Sequence, residues 1–99
     1  MRFQVLWSIE SRARRNDIVE YLKAEWSVGS AIKFKERLRL FENIVAEYPE
    51  LYAQSKEKQK LRKAVISKHQ SVIYTVDDSI SVVKILTILN NRQENQPKD

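Results

Sequence analysis

From Arg2 to Trp7 the chain alternates, with Phe3, Val5 and Trp7 on one side and Arg2, Gln4 and Leu6 on the other. A period of two predicts a short strand with one well-buried face. Ser8 follows as an N-cap, and Glu10 places a carboxylate in the first helical turn, where the helix dipole favours it. The helix runs to about Trp26, with Ile18, Leu22 and Trp26 one turn apart on a buried stripe. Traced backwards, that stripe meets Ser11 and Arg15, neither a core residue. The helix start is therefore expected to overhang the sheet, leaving Arg12, Arg14 and Arg15 exposed. Ser27 to Ser30, including the single glycine Gly29, make the next turn, and Ser27 or Ser30 caps a second helix. Its apolar face is regular: Ala31, Phe34, Leu38, Phe41, Val45 and Tyr48, with Lys33, Lys35, Glu36, Arg37, Arg39 and Glu42 off it. Pro49 ends it. Ile32, Leu40 and Ile44 widen the apolar surface beyond one stripe and leave part of it for a partner.

Pro49 to Lys60 is polar, a loop of roughly a dozen residues, and such loops in compact domains are usually functional or mobile. Leu61 to Ile66 reads as a strand. Ser67 to Gln70 turns it, and Ser71 to Val76 returns with Val72, Tyr74 and Val76 on one face. Asp77-Asp78-Ser79 makes a tight turn into a last strand, Ile80 to Leu89. That strand is apolar on both faces, which suits a position inside the sheet. The pattern gives an α+β fold in the order β-α-α-β-β-β, a helical hairpin packed on a small, mostly antiparallel sheet. One domain ends at residue 93, and 94–99 form a polar tail.

Ninety-nine residues suit a single core, and 42% apolar with 31% charged residues is ordinary for a globular chain. Zero cysteines exclude disulfides and thiolate metal sites and fit a reducing compartment. With no charged-then-apolar leader and no apolar run near the roughly 20 residues of a membrane span, the expected location is cytoplasmic and away from membranes. The net charge of +5 matters more, because it is local. Lys56, Lys58, Lys60, Arg62, Lys63 and Lys68 lie between Ser55 and His69 against Glu57 alone. Six minus one accounts for the whole excess. A patch of this kind attracts phosphate backbones or an acidic protein segment, and equally serves as a solvated loop.

Few chemistries remain open. One histidine and scattered carboxylates make no metal-ligand set, and Asp77-Asp78 reads as a turn. One glycine makes no phosphate cradle. No cofactor is expected. RNA cleavage by basic residues needs a base for the 2′-hydroxyl, cations for the phosphorane and an acid for the leaving oxygen. Arg62, Lys63, Lys68, His69 and Arg92 are the candidates. Histidine is the side chain type best suited to proton transfer at physiological pH, although a hairpin histidine more often bonds locally. Tyr74 alternates with Val72 and Val76 and reads as core.

The run Ala64-Val-Ile-Ser-Lys-His-Gln-Ser-Val-Ile-Tyr74, then Val76-Asp-Asp, Ser81-Val-Val-Lys-Ile-Leu86 and Asn91-Arg92-Gln93, resembles the RelE/ParE toxin superfamily. Val5-Leu-Trp-Ser8, Ile18, Tyr21-Leu22, Ala31, Phe34, Leu38 and Pro49 extend the resemblance over nearly the whole chain. It implies the toxin of a type II, plasmid-stabilisation-like toxin–antitoxin system, silenced by a cognate antitoxin whose disordered segment folds on it. RelE-type nucleases, which act on ribosome-bound mRNA, carry an arginine three residues before the tyrosine. Here that position is Ser71, before Tyr74. They also end in a tyrosine or a histidine–tyrosine pair, and nothing aromatic follows Arg92 here. ParE-like members lack that set, often end in Arg-Gln as Arg92-Gln93 does, and inhibit DNA gyrase without hydrolysis.

The resemblance therefore implies a non-enzymatic, growth-inhibiting gyrase binder of the ParE-like branch. A RelE-like endonuclease using Arg62, Lys63, His69 and Arg92 is the alternative, and an inactive binding module the third reading. Lys56, Lys58, Lys60, Arg62, Lys63, Lys68, Arg92 and Gln93 are the expected contacts for target or antitoxin.

Overall fold

The computed structural model describes residues 2–58 and 60–90. Its elements are β1 (Gln4–Trp7), α1 (Ile9–Glu25), α2 (Val28–Glu47), β2 (Arg62–Val65), β3 (Gln70–Asp77) and β4 (Val82–Asn90). They form one four-stranded sheet in the order β1-β4-β3-β2. β1 runs parallel to β4, and the other two pairings are antiparallel. The helical hairpin carries the chain from β1 at one edge of the sheet to β2 at the other, and β3 and β4 then fill the space between, so β4 lands parallel to β1. The predicted architecture and its mostly antiparallel character both hold.

The core lies between the helices and one sheet face. Ile18 and Leu22 of α1, with Ala31, Phe34, Leu38, Phe41 and Val45 of α2, meet Ala64, Val72, Tyr74, Val83, Ile85 and Ile88. β4 solves a register problem. Ile85 and Ile88 are three apart, yet both are fully buried. Ile73 opposes Thr87 while Tyr74 opposes Ile85, so Leu86 is an extra residue and β4 bulges there. The extra residue returns the next side chain to the core face. The strand's two-sided apolar pattern comes partly from its central position and partly from this bulge.

Several expectations change. Ser11 is fully buried, and the start of α1 does not overhang the sheet. The Ser8 amide donates to the Ile85 carbonyl (3.0 Å) and the Ser8 hydroxyl to that of Leu86 (2.8 Å). Ser8 also caps α1, accepting from the Ser11 amide at 2.9 Å, and the Ser11 hydroxyl donates back to the Ser8 carbonyl at 2.9 Å. A small hydroxyl that finds its partners locally can be buried at little cost. Arg12 and Arg14 are exposed as expected, although Arg14 Nε donates to the Ile88 carbonyl at 3.2 Å. The Arg15 guanidinium lies 4.7 Å from the Trp7 ring centre. That indole N–H donates to Glu42 of α2, so one tryptophan ties β1 to both helices.

Trp26 is not the end of the buried stripe. It is the C-cap of α1 with non-helical backbone, so the helical spacing stops before it, and it is 52% exposed. Tyr48 is likewise a C-cap and largely exposed. Ser27 caps α2, and Gly29 belongs to the first turn of that helix, so the connection is only Trp26-Ser27. Ile80 sits in the turn before β4, exposed; in the same turn Ser81 takes a φ of 54°. Ile32 and Leu40 are exposed as predicted, whereas Ile44 is half-buried.

Candidate functional site

The basic cluster that is continuous in sequence is divided in space. Strand geometry causes the first division, because neighbouring residues face opposite ways. Arg62 pairs with Tyr74 and faces the loop side, while Lys63 pairs with Ile73 and points from the outer face. The second division is the length of the hairpin. Lys68 and His69 lie in the β2–β3 turn, and Arg62 at the far end of β2, about 15 Å away at strand rise. Lys56, Lys58 and Lys60 are exposed on the loop before β2. Arg92 and Gln93 lie outside the described residues.

Arg62 holds structure. Its guanidinium donates to the carbonyl of Tyr52 at 2.7 Å and to that of Glu50 at 3.4 Å. Tyr52 in turn packs its ring 5.8 Å from Phe41 and 6.4 Å from Tyr74, and Tyr74 lies 5.5 Å from Phe41. The Tyr74 hydroxyl donates to the Pro49 carbonyl at 2.8 Å. Arg62 and Tyr74 thus pin residues 49–52 of the long loop to the core. Burial raises the Tyr74 phenol from 10.0 to about 12, against the opposing charge of Arg62. A phenol so held stays protonated near neutral pH and is a poor proton relay. Ser71, at the position that the resemblance gives to a nuclease arginine, is fully buried. Among the described residues no three His, Cys, Asp or Glu side chains cluster to hold a metal.

Two surfaces remain. The outer sheet face, opposite the helices, carries Leu6 (43% exposed) and Val65 (63% exposed) with Ile73 and Leu89 half-buried between them. Lys84 stands beside Leu6 in the register, and Lys63 beside Ile73; both lysines are exposed. This is an apolar strip with cations on it. The alternation that made Lys63 legible also marks Lys84, a polar residue inside an apolar strand, but the basic run in sequence drew attention away from it.

The second surface is a cavity of about 270 Å³ at the end of the helical hairpin. Leu22, Trp26 and Phe34 meet Lys68, His69 and Gln70 there, and Lys33 and Arg37 line it from α2. The His69 ring lies 6.3 Å from that of Trp26, and its backbone amide donates to the Ser67 hydroxyl at 3.2 Å. His69 is therefore a turn residue that also walls a pocket. Lys33 and Arg37 were missed in sequence because only the fold brings them to the hairpin turn. Their spacing of four, on either side of core Phe34, was the available signal.

No family model matches the chain, and no curated protein matches it by sequence. Solved structures do. The chain shares a TM-score of 0.73 and 13% identity with a chain of the chromosomal ParDE system of P. aeruginosa, over 90% of this chain and 96% of that one. The chain has the RelE/ParE toxin fold. An E. coli RelE mutant in the free state matches at a TM-score of 0.63 and 15% identity, covering 96% and 90% of the two chains. A YoeB/ParE toxin from Agrobacterium tumefaciens gives 0.64 and 11%, covering 88% and 96%. Both branches of the RelE/ParE fold are represented, so what the chain shares with them is architecture.

Proposed function

We propose that this chain is the toxin of a type II toxin–antitoxin pair, of the ParE-like branch, and that it arrests growth by binding DNA gyrase without cutting RNA. The fold supports the toxin reading, since its structural neighbours include ParDE and RelBE2 assemblies. One observation favours binding over cleavage. The groups nearest a nuclease set are unavailable: Ser71 is buried without charge, and Arg62 and Tyr74 donate to the carbonyls of residues 49–52. His69 stands at the other end of β2 from Arg62, and Lys63 points from the opposite face, so these three nuclease candidates do not converge. Positive charge left on the surface grips a macromolecule without moving protons.

Induced expression with the purified chain assayed in parallel tests this. Loss of gyrase supercoiling with intact mRNA is expected. New A-site cuts in primer extension on translating ribosomes would replace the proposal with the RelE-like reading, and harmless over-expression without an antitoxin would replace it with a binding module. An acidic, amphipathic antitoxin segment fits the outer sheet face, where its apolar side chains meet Leu6, Ile73 and Val65 and its carboxylates meet Lys63 and Lys84. Lys60→Glu, Lys63→Glu and Lys84→Glu together should weaken capture of the protein encoded by an adjacent acidic reading frame. Unchanged affinity at low salt would remove that surface from the account.

A further inference from the structure

We propose that the groove between α1 and α2, beside the end of β1, is a binding site for a linear phosphate chain, a diphosphate or triphosphate group either free or carried by a nucleotide. The groove belongs to the helical layer, on the other side of the sheet from Lys63 and Lys84, and the proposal goes beyond the toxin reading. It encloses about 330 Å³, within the range of about 300–1,000 Å³ that holds small-molecule ligands.

Three features specify the ligand. The first is uncompensated charge. Arg15 of α1 and Lys35 and Arg39 of α2 line the groove, with Glu42 as the one acid in the lining. Three positive charges minus one leave an excess of two. Glu42 accepts from the Trp7 indole, and none of the three cations takes part in an ion pair among the described residues. Arg12, exposed and three residues before Arg15, adds a further cation to that flank of α1. The second feature is arrangement. Lys35 and Arg39 lie one turn apart on one helix, and Arg15 stands on the other, so the cations form two banks. Linked phosphates present oxyanions to both banks at once, and each guanidinium forks onto two oxygens. Asn16 adds a neutral donor beside them. The third feature is the wall. Leu38 is buried in the core, and the Trp7 ring already carries the Arg15 guanidinium at 4.7 Å. An apolar anchor from a peptide finds little to pack on, which favours a compact anion. Arg15, held over that ring, is ordered before the ligand arrives, so binding it loses less side-chain entropy.

Pyrophosphate, tripolyphosphate, ATP, inorganic phosphate and a short DNA duplex are titrated by calorimetry into the purified chain at low salt. Tripolyphosphate should bind at one site with a submillimolar Kd, at least about tenfold tighter than inorganic phosphate, with pyrophosphate between them. Equal binding of ATP would identify the triphosphate group in either carrier, and binding of tripolyphosphate alone would identify the free chain. Lys35→Ala and Arg39→Ala, both at exposed positions, should each weaken tripolyphosphate binding by about tenfold at an unchanged melting temperature. If one of them melts early, the other carries the test. Lys84→Ala on the outer sheet face and Lys68→Ala at the hairpin turn should leave binding as it is. Trp26→Phe leaves Trp7 as the sole tryptophan, and its emission should change on titration because the ligand draws on the cation over its ring. Absence of saturable binding, equal binding of inorganic phosphate, loss of binding in the Lys84 or Lys68 variant, or tighter binding of the duplex would each overturn the assignment. None of these titrations reads supercoiling or growth arrest, so the groove and the toxin reading fail separately.

Discussion

Replacing Tyr74 with Phe removes one hydroxyl and keeps the ring between Phe41 and Tyr52. The hydroxyl is buried and donates to the Pro49 carbonyl at 2.8 Å, so its loss leaves that acceptor without its donor. The expected cost is about 1–2 kcal/mol. For a domain of this size that is a fall in Tm of about 4–16 °C. The same hydroxyl makes a pH signature. The folded phenol titrates at about 12 against an ordinary 10.0. Between those values the unfolded chain has lost a proton that the folded chain still holds, so the contribution is fully present below pH 10 and disappears as pH rises through 12. A difference of two pKa values corresponds to an upper bound on the order of 2–3 kcal/mol. Lysines deprotonate over the same range in both proteins and cancel in the comparison. Urea unfolding followed by circular dichroism at pH 7, 10, 11 and 12 reads the effect. Wild type should be the more stable at pH 7, and the gap should close and then reverse by pH 12. Equal stability at pH 7, or a gap that ignores pH, would refute the role of Tyr74 as the anchor of the loop. Growth inhibition should survive the substitution, because the phenol supplies packing and no proton transfer. A stable Phe variant that has lost toxicity would show the opposite.

Arg62→Ala frees the carbonyls of Glu50 and Tyr52, and should cost about 1.5–3 kcal/mol and speed proteolytic nicking between residues 49 and 60. His69→Ala should leave growth arrest and supercoiling loss unchanged, as measured by dose of inducer, since His69 stands apart from Arg62. Ser8→Ala should destabilise by about 1–2 kcal/mol in thermal melts, more than the exposed cap substitution Ser27→Ala, because Ser8 also donates to the Leu86 carbonyl. The Asp77 carboxylate accepts from the Ser79 hydroxyl and amide, which hold it below its ordinary 3.8, so its contribution is present above that value and is lost as pH falls through the lower folded pKa. A carbon-detected NMR titration should place Asp77 below 3.8, and Ser79→Ala should raise it.

Elements came through where a period and a stop signal agreed. The 3, 4, 3, 4 spacing of α2 from Ala31 to Val45, stopped just before Pro49, is one case, and the Ser8 cap followed by Glu10 is another. Periodicity misled where it was carried past a boundary. Trp26 continues the spacing of Ile18 and Leu22, yet the helix ends at Glu25, and a side chain beyond the last turn has no reason to follow the stripe. Ser11 shows the converse. Hydropathy alone excludes a serine from the core, but a serine three residues after an N-cap finds its acceptor in the cap's own carbonyl.

Charge was the least transferable signal, and the reason is geometric. Six cations in thirteen positions look like one patch only if the chain between them is a surface loop. Here the same stretch crosses a strand, whose alternation sends Arg62 and Lys63 to opposite faces, and then a turn, which carries Lys68 to the far end of the hairpin. At that end the lysine joins Lys33 and Arg37, which are more than thirty positions away in sequence and lie off the apolar stripe of α2. Counting charges along a β-hairpin therefore overstates the field at any one point, while cations placed by tertiary packing go uncounted. The useful quantity is charge per face after strand parity is assigned. By that measure the outer sheet face holds Lys63 with Lys84, the hairpin end holds Lys33, Arg37 and Lys68, and Arg62 belongs to the scaffold that keeps both surfaces in place.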